Sequence, residues 1–206
     1  ISSVAAIGRT TPGETITEAK KWHQSKYNAR YGVTKHLAEM EVLRGVEEGL
    51  PAMMLNPGII LGKGAPGAMS ARFTEDGLKG RKLMPNGHVA AVAAPDVADA
   101  VVKGLQSDCS SGERFILVSE TFTMPEIFGL LAKIGGNEKR QVILPNWLIR
   151  ATGRFLAVFN PLYKSAPFIT PETARMATNH FYYDNARSRE ALGIQYRDLR
   201  EWLPKE

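Results

Sequence analysis

The segment 27–61 limits the possible folds of this chain more than any other. A run of helix-forming residues begins after Ala29 and contains no proline until Pro51, which predicts a long helix. Gly49 suits the left-handed conformation in which helices often end. The apolar stretches after Pro51 lack the alternation of a half-exposed strand, so they predict strands covered on both faces. A helix, a short turn and a buried strand together form the repeating unit of a parallel α/β sheet.

Three further element predictions follow from local patterns. Apolar residues recur in the helix at steps of three and four and predict a core-facing side: Val33, Leu37, Met40, Leu43 and Val46. Residues 1–8 are typical of the end of a buried strand, followed by hydroxyl groups and a glycine turn. A later helix is predicted to open at Pro95 and Asp96, with Asp96 as its N-cap.

Tyr31 and Lys35 are four residues apart on the predicted helix, so their side chains lie on one face, one turn apart. A nearby ammonium favours the phenolate form of a tyrosine, which makes the phenol a better acid–base group near neutral pH. Such a tyrosine can give a proton to a carbonyl oxygen, or take one from an alcohol, while hydride moves elsewhere. The spacing alone also occurs on exposed helix surfaces, and a plain surface pair is the alternative interpretation.

The chain resembles the extended short-chain dehydrogenase/reductase family, which includes sugar-nucleotide epimerases and dihydroflavonol-4-reductase-like enzymes. The resemblance rests on four ordered motifs: SSVAAIG, YGVTK followed by HLAE, LNPGIILGKG and PDVADAVV. It implies an α/β fold that combines the C-terminal part of a Rossmann-like parallel sheet with a small, mixed α/β substrate domain. It also implies roughly a hundred residues before Ile1, holding a glycine-rich turn and the residue that selects NAD or NADP.

The resemblance implies a division of the chain into two domains. Residues 1–62 are expected to be the remnant of an NAD(P)-binding Rossmann domain, to which residues 94–119 return. Residues 63–93 and 120–206 are expected to form the substrate-binding domain. On this interpretation the catalytic activity belongs to the full-length protein, and the 206-residue chain alone is expected to be inactive.

The family resemblance assigns three catalytic residues. Tyr31 would be the acid–base residue, Lys35 would tune it and bind the nicotinamide ribose, and Ser3 would polarise the substrate oxygen. Ser3 is also interpretable as a strand-end serine that bonds only to the local backbone. The same resemblance implies a homodimer through the helix that carries Tyr31 and Lys35.

Further residues are assigned to cofactor and substrate. By resemblance, Pro57, Gly58 and Ile60 line the nicotinamide pocket together with Tyr31 and Lys35, although an ordinary strand end is the alternative. Asn56 matches a substrate-contacting asparagine of sugar-nucleotide epimerases, or is a turn residue. Arg72 and Arg81 are candidates for binding a substrate diphosphate. Ser3 and Asn56 are candidates for other contacts with the substrate.

The predicted function is an NAD(P)-dependent oxidoreductase that transfers hydride between nicotinamide and a carbonyl or alcohol substrate. A nucleoside-diphosphate-sugar epimerase or dehydratase with tightly bound NAD is the alternative. It is weakened because the run 88–94 is small and apolar where epimerases usually carry an arginine–aspartate pair. A third possibility is a non-catalytic, NAD(P)-binding regulatory protein.

Composition excludes several other classes. The net charge is +5 and the isoelectric point is near 9.4, but the basic residues are scattered among carboxylates, so we predict no nucleic-acid partner. We predict a small-molecule substrate and no metal site. No apolar run approaches the length of a membrane span, so no membrane association is expected. The single cysteine, Cys109, suits a reducing cytoplasm.

Overall fold

The computed structural model describes residues 1–62, 69–109, 111–159 and 171–205. The strands in these ranges are β1 (Thr15–Ile16), β2 (Met54–Pro57), β3 (Ile59–Leu61), β4 (Leu83–Met84), β5 (His88–Ala93), β6 (Arg114–Leu117), β7 (Glu120–Thr123), β8 (Val142–Ile143) and β9 (Tyr182–Tyr183). The helices are α1 (Arg30–Glu47), α2 (Met69–Leu78), α3 (Ala94–Gln106), α4 (Met124–Ile134), α5 (Asn146–Phe159), α6 (Pro171–Met176), α7 (Ala186–Leu192) and α8 (Leu199–Trp202). Short 3-10 helices cover Val4–Ala6 and Leu203–Lys205.

Two parallel strand pairs form the centre of the fold. β2 pairs with β6, with Met54 opposite Arg114 and Pro57 opposite Leu117. β3 pairs in parallel with β5, which in turn pairs antiparallel with β7. The chain passes from β2 to β3 through Gly58, whose N–H donates to the Leu117 carbonyl over 3.0 Å. The predicted α/β fold with parallel strands is therefore confirmed.

Three groups of buried apolar side chains hold these elements together. The first core packs α4 and the C-terminal helices on β3, β5 and β7 and contains Leu61, Met84, Ala91, Ala93, Phe122, Ile127, Phe128, Leu131, Leu199 and Leu203. The second core packs α3 and α7 on β2 and β6 and contains Leu55, Val92, Val97, Ala100, Phe115, Leu117, Leu192 and Ile194. The third core fixes the N-terminal segment and contains Val4, Ile7, Ile16, Ile116, Val118 and Phe181.

The core-facing side predicted for α1 is wrong for three of its five residues. Val33, Leu37 and Met40 are exposed by 40%, 59% and 40%, whereas Leu43 and Val46 are half-buried. Hydrophobic periodicity identifies the buried side of a helix only when that side is apolar. The buried side of α1 contains Gly32 and Glu39 and is therefore not apolar.

The buried residues of α1 are Gly32 and Glu39. A Cβ placed on Gly32 would lie 2.8 Å from the Ala5 carbonyl oxygen, so glycine allows the 3-10 helix to pack directly against α1. Glu39 faces the buried side chain of Asn56 at the end of β2. One small and one charged residue thus define the inner face of this helix.

Residues Val4–Ala6 form a 3-10 helix rather than the end of a strand. The approach is extended, because the Ser2 N–H donates to the Leu55 carbonyl of β2 over 2.7 Å. The Ser3 hydroxyl then accepts a hydrogen bond from the Ala5 N–H at 3.2 Å. This local cap competes with strand pairing and turns the chain.

The N-cap role predicted for Asp96 is also wrong. α3 begins at Ala94, and Asp96 lies in its first turn with its carboxylate buried. That carboxylate pairs with the Arg197 guanidinium and accepts from the Arg197 N–H over 3.0 Å. The hydrogen bond to Asp96 raises the pKa of Arg197. Asp96 therefore anchors the C-terminal segment instead of capping the helix.

Candidate active site

Ser3 and the first turn of α1 lie at the carboxyl edge of the parallel strands. Ser3 follows the extended residue that bonds to β2, and Pro57 ends β2 itself. Because α1 returns the chain to the start of β2, its first turn, with Tyr31, lies at the same edge. Ligands of open parallel sheets bind outside the carboxyl ends of the strands.

Close helix packing brings the segment that carries Ser3 next to α1, the helix that carries Tyr31 and Lys35. The contact of Gly32 with Ala5 sets the 3-10 helix against the first turns of α1. The Lys35 Nζ donates to the Ile1 carbonyl oxygen over 3.2 Å. The ammonium therefore points toward the segment that carries Ser3. Tyr31 lies in the first turn of α1, and its side chain is 52% exposed.

The Ser3 hydroxyl is held by its own backbone. Its Oγ accepts from the Ala5 N–H, as the interpretation of a local strand-end serine expected. A serine hydroxyl has one hydrogen and two lone pairs, so this bond uses a lone pair and leaves the hydrogen able to donate. The local role and the predicted substrate contact are therefore compatible.

Asn56 is part of a buried polar network. Its side chain has no exposed surface, and its Nδ2 donates to the Ser3 carbonyl oxygen at 2.9 Å and to Glu39 Oε1 at 2.6 Å. The other carboxylate oxygen of Glu39 lies 3.8 Å from Arg114 Nη1. The predicted direct contact of Asn56 with substrate does not agree with this burial, because both amide hydrogens are used inside the protein.

Sequence reasoning missed Glu39. It is four residues after Lys35, within the motif HLAE, and only 3% of its surface is exposed. A carboxylate at such a position is rarely buried without a partner. One signal in the sequence could have indicated its burial: a charged residue lies in a helix that is expected to pack against a core.

Pro57, Gly58 and Ile60 occupy the junction of β2 and β3. A Cβ on Gly58 would lie 2.5 Å from the Ala90 carbonyl oxygen, so β5 passes too close for any side chain. Ile60 packs against the second core. Pro57 ends β2 at the same edge as Ser3. These structural roles account for the motif, and the nicotinamide contacts stay a prediction.

The two arginines predicted to bind a diphosphate differ in their surroundings. Arg72 is exposed on α2. Arg81 forms an ion pair with Asp76, and its guanidinium lies over the Phe128 ring at 5.7 Å. Arg81 is therefore engaged beside the first core, whereas Ser3 and Lys35 lie beside the third.

An aromatic contact fixes the loop that precedes α1. The Trp22 indole stacks on the His36 imidazole, with ring centroids 4.1 Å apart and planes 4° from parallel. The same indole covers Gly8, where φ is +89° and a Cβ would approach the ring to 2.9 Å. Burial lowers the pKa of His36. The loop is thus held against the helix that carries Tyr31 and Lys35.

A family model matches the part of the chain that contains these residues. The model represents an NAD-binding family described as male sterility protein, and it covers residues 3–90. Several crystal structures with this fold were solved in complex with NAD or NADPH. These findings agree with the predicted nicotinamide cofactor.

Known proteins resemble the chain along nearly its whole length. A Synechocystis sp. protein named "Putative dihydroflavonol 4-reductase" is 26% identical over 98% of this chain and 60% of its own length. The crystal structure of gox2253 has a TM-score of 0.80 at 24% identity, over 98% of this chain and 62% of that one. A nucleoside-diphosphate-sugar epimerase from Pseudomonas aeruginosa has a TM-score of 0.75 at 20% identity, over the same shares.

The family model, the reductase relative and the epimerase structure all agree with the predicted resemblance to the extended short-chain dehydrogenase/reductase family. The chain spans about 60% of the length of the relatives that it matches.

Two structural findings concern other classes of site. Within the described ranges, no three or more His, Cys, Asp or Glu side chains are grouped so that they could hold a metal ion. None of the helices in the described part of the chain combines the length and apolar character that crossing a bilayer requires.

Proposed function

We propose that the complete protein is an NAD(P)-dependent oxidoreductase that reduces a carbonyl, or oxidises the corresponding alcohol, at Ser3, Tyr31 and Lys35. The observation that carries this proposal is the packing of the 3-10 helix on α1 at Gly32, together with the bond from Lys35 to Ile1. These contacts support a site in which a serine, an exposed phenol and an ammonium act together at one edge of a parallel sheet. The cytoplasmic location predicted from the sequence is part of the same proposal.

The donor set at this edge fits the nicotinamide end of NAD or NADP. The Lys35 ammonium is a donor for ribose hydroxyls, and Tyr31 is accessible beside it. Pro57 and Ile60, at the end of β2 and in β3, would form an apolar wall for the ring. When bound, the cofactor supplies or accepts the hydride.

The residues of the chain would handle the proton and the substrate oxygen. In the direction of reduction, the Ser3 hydroxyl donates a hydrogen bond to the carbonyl oxygen and fixes its position. The Tyr31 phenol gives its proton to that oxygen as the carbon is reduced. The Lys35 ammonium stabilises the phenolate that remains. In the direction of oxidation, the same phenolate takes the proton back.

The surroundings favour a carbonyl reductase over a sugar-nucleotide epimerase. Ala91, Val92 and Ala93 of β5 are completely buried, and the run 88–94 contains no arginine where epimerases are expected to carry one. Arg81 is already paired with Asp76. The Synechocystis relative carries the name of a reductase, which supports the same direction.

The test is turnover of the complete protein with NADH or NADPH and a panel of aldehydes and ketones. Tyr31→Phe removes the acid–base proton, and we expect it to reduce kcat by about 100-fold or more. Tyr27→Phe is the matched control, because Tyr27 packs edge-on against Phe181 in the third core. We expect that variant to keep its activity.

Three results would change the assignment. Tight retention of NAD through purification, with sugar-nucleotide conversion and no net cofactor consumption, would establish the epimerase instead. Cofactor binding without turnover of either substrate class would support a regulatory protein. Full activity of Tyr31→Phe would exclude the proposed acid–base role.

A further inference from the structure

The buried amide of Asn56 joins the two elements that carry the proposed catalytic residues. One of its N–H groups donates to the Ser3 carbonyl oxygen, and the other donates to Glu39 of α1. Glu39 lies one helical turn after Lys35 and two turns after Tyr31. A single side chain therefore ties the backbone of the serine to the helix of the tyrosine and lysine.

The network fixes the orientation of the amide. Both acceptors facing Nδ2 are oxygens that carry no hydrogen, so a flipped amide would place its Oδ1 against two oxygens. Asn56 Oδ1 is buried, and no hydrogen-bond partner lies near it among the described residues. An unpaired buried acceptor reduces stability by about 1–3 kcal/mol. The two acceptors therefore hold the amide in a single orientation.

The backbone of Ser3 is where the network acts. Ser3 is extended, with φ −162° and ψ 151°, and is the N-cap of the 3-10 helix. Its carbonyl oxygen accepts from Asn56 Nδ2 and also from the Ala6 N–H at 2.9 Å. Because the Ser3 hydroxyl and the Tyr31 phenol must approach the same substrate oxygen, a displacement of about 1 Å in either could reduce turnover roughly 100-fold.

We propose that Asn56 and Glu39 are positioning residues that set Ser3 against Tyr31 and Lys35. The assignment rests on the proposed function, because it names the residues that shape the same site. Asn56 supplies the bond to Ser3, and Glu39 aligns the amide that makes it. Neither side chain touches substrate.

Paired substitutions in the complete protein separate positioning from stability. Asn56→Asp removes the donor to Ser3 and places a second carboxylate beside Glu39, so we expect lower stability and about 100-fold lower kcat. The double variant Glu39→Gln with Asn56→Asp restores a hydrogen bond between the two side chains, because the glutamine amide can donate to the aspartate. It cannot restore the donor to the Ser3 carbonyl. We therefore expect thermal stability to recover and kcat to stay low.

Three further variants test Glu39 and provide a control. Glu39→Leu removes the oxygen that aligns the Asn56 amide, and we expect kcat to fall about tenfold or more. Glu39→Gln keeps an acceptor for Asn56 and should lose less activity than Glu39→Leu. Ser188→Ala removes another fully buried polar side chain, which bonds to the Ile116 carbonyl beneath β6. We expect it to lower the melting temperature and to leave kcat of the folded protein unchanged.

Hydrogen exchange at the Ala5 and Ala6 amides gives a readout that does not depend on turnover. These amides donate to Ser3 Oγ and to the Ser3 carbonyl, and we expect faster exchange in both variants that contain Asn56→Asp. Recovery of kcat and of slow exchange in the double variant would overturn the positioning role. Unchanged kcat in Glu39→Leu would overturn the role of Glu39.

The proposed function can fail independently of the positioning role. Full activity of Tyr31→Phe would remove the proposed function, while the exchange rates would still report whether Asn56 holds Ser3. Unchanged exchange at both amides in Asn56→Asp would overturn the positioning role even if Tyr31 proves essential.

Discussion

Helices α1 and α4 are built on opposite principles. α4 begins with a complete capping box, in which the Thr123 hydroxyl accepts from the Glu126 N–H and the Glu126 carboxylate accepts from the Thr123 N–H. Its buried face is apolar and includes Phe128 and Leu131. α1 begins at Arg30, its N-cap residue Ala29 has no side chain that could cap the helix, and its buried residues are Gly32 and Glu39.

The difference shows what each helix does in the molecule. The apolar face of α4 gains stability from burial in the first core. α1 gives up that gain, because its inner face accommodates the 3-10 helix at Gly32 and the amide of Asn56 at Glu39. Natural sequences break local rules of this kind mainly at functional sites.

The largest expected effect tests this comparison on stability. Leu131→Ala opens a cavity in the first core, where Leu131 is 1% exposed, and we expect a loss of about 2–5 kcal/mol in the free energy of unfolding. Leu37→Ala on α1, where the side chain is 59% exposed, should change the unfolding free energy of the monomer by about 0.5 kcal/mol or less. Denaturant titration of both variants provides the measurement. Equal losses would mean that the outer face of α1 is covered in the folded protein.

The sequence contains clear local signals for α4, but its signals for the packing of α1 are incomplete, for a physical reason. Thr123, Pro125 and the glycines after the helix are local signals, and the apolar face obeys the helical period. In α1 the long run of helix formers correctly indicated a helix. Gly32 packs against a carbonyl group, and Glu39 packs against an amide. Neither contact produces a periodic pattern of hydrophobic residues in the sequence.

The candidate site divides in the same way. Tyr31 and Lys35 could be selected because their chemistry depends on spacing within one helix. The burial of Asn56 could not be predicted, since it depends on two elements that are distant in sequence, the segment at Ser3 and the helix at Glu39. The pairing of Asp96 with Arg197, across a hundred residues, escaped for the same reason.

The second prediction sharpens the contrast between two helical glycines. Gly32→Ala would place a Cβ 2.8 Å from the Ala5 carbonyl, so we expect the 3-10 helix to shift and kcat to fall about 100-fold. Gly129→Ala on α4 meets only the Gln141 amide, at 3.6 Å. Removing glycine there should stabilise the protein by about 0.4–1 kcal/mol. Turnover and melting temperature are measured on both variants. We expect kcat to fall in Gly32→Ala and the melting temperature to rise in Gly129→Ala.

The third prediction concerns the exposed apolar side of α1, which we propose pairs with a second copy of the protein. Leu37→Arg would place a charge in that contact, and we expect the dimer dissociation constant to rise tenfold or more. Leu105→Arg is the control, because Leu105 is 84% exposed on α3. Sedimentation equilibrium gives both constants. If the unsubstituted protein is monomeric, the proposed dimer contact through α1 is wrong.

The smallest expected effect is a pH dependence of the free energy of unfolding, to which one histidine near each helix contributes. His36 lies on α1, and His88 lies opposite Thr123, the cap of α4. Burial lowers the pKa of both histidines. For His88 the neighbouring His180, 3.3 Å away between Nδ1 atoms, lowers the pKa further, and Glu126 opposes the shift. The Tyr182 ring also faces His88.

The sign of the effect follows from proton binding. A histidine with a lowered pKa in the folded state binds its proton first in the unfolded state, so stability is complete above the ordinary value of 6.5 and is lost as pH falls through and below it. We expect His88→Gln and His36→Gln each to flatten the decline in unfolding free energy between about pH 7 and pH 5. His23→Gln, at an exposed histidine, is the control. If only His88→Gln flattened the decline, His36 would bind a proton in the folded protein as readily as in the unfolded one. The stacking of Trp22 on His36 would then be more open in solution than the structure shows.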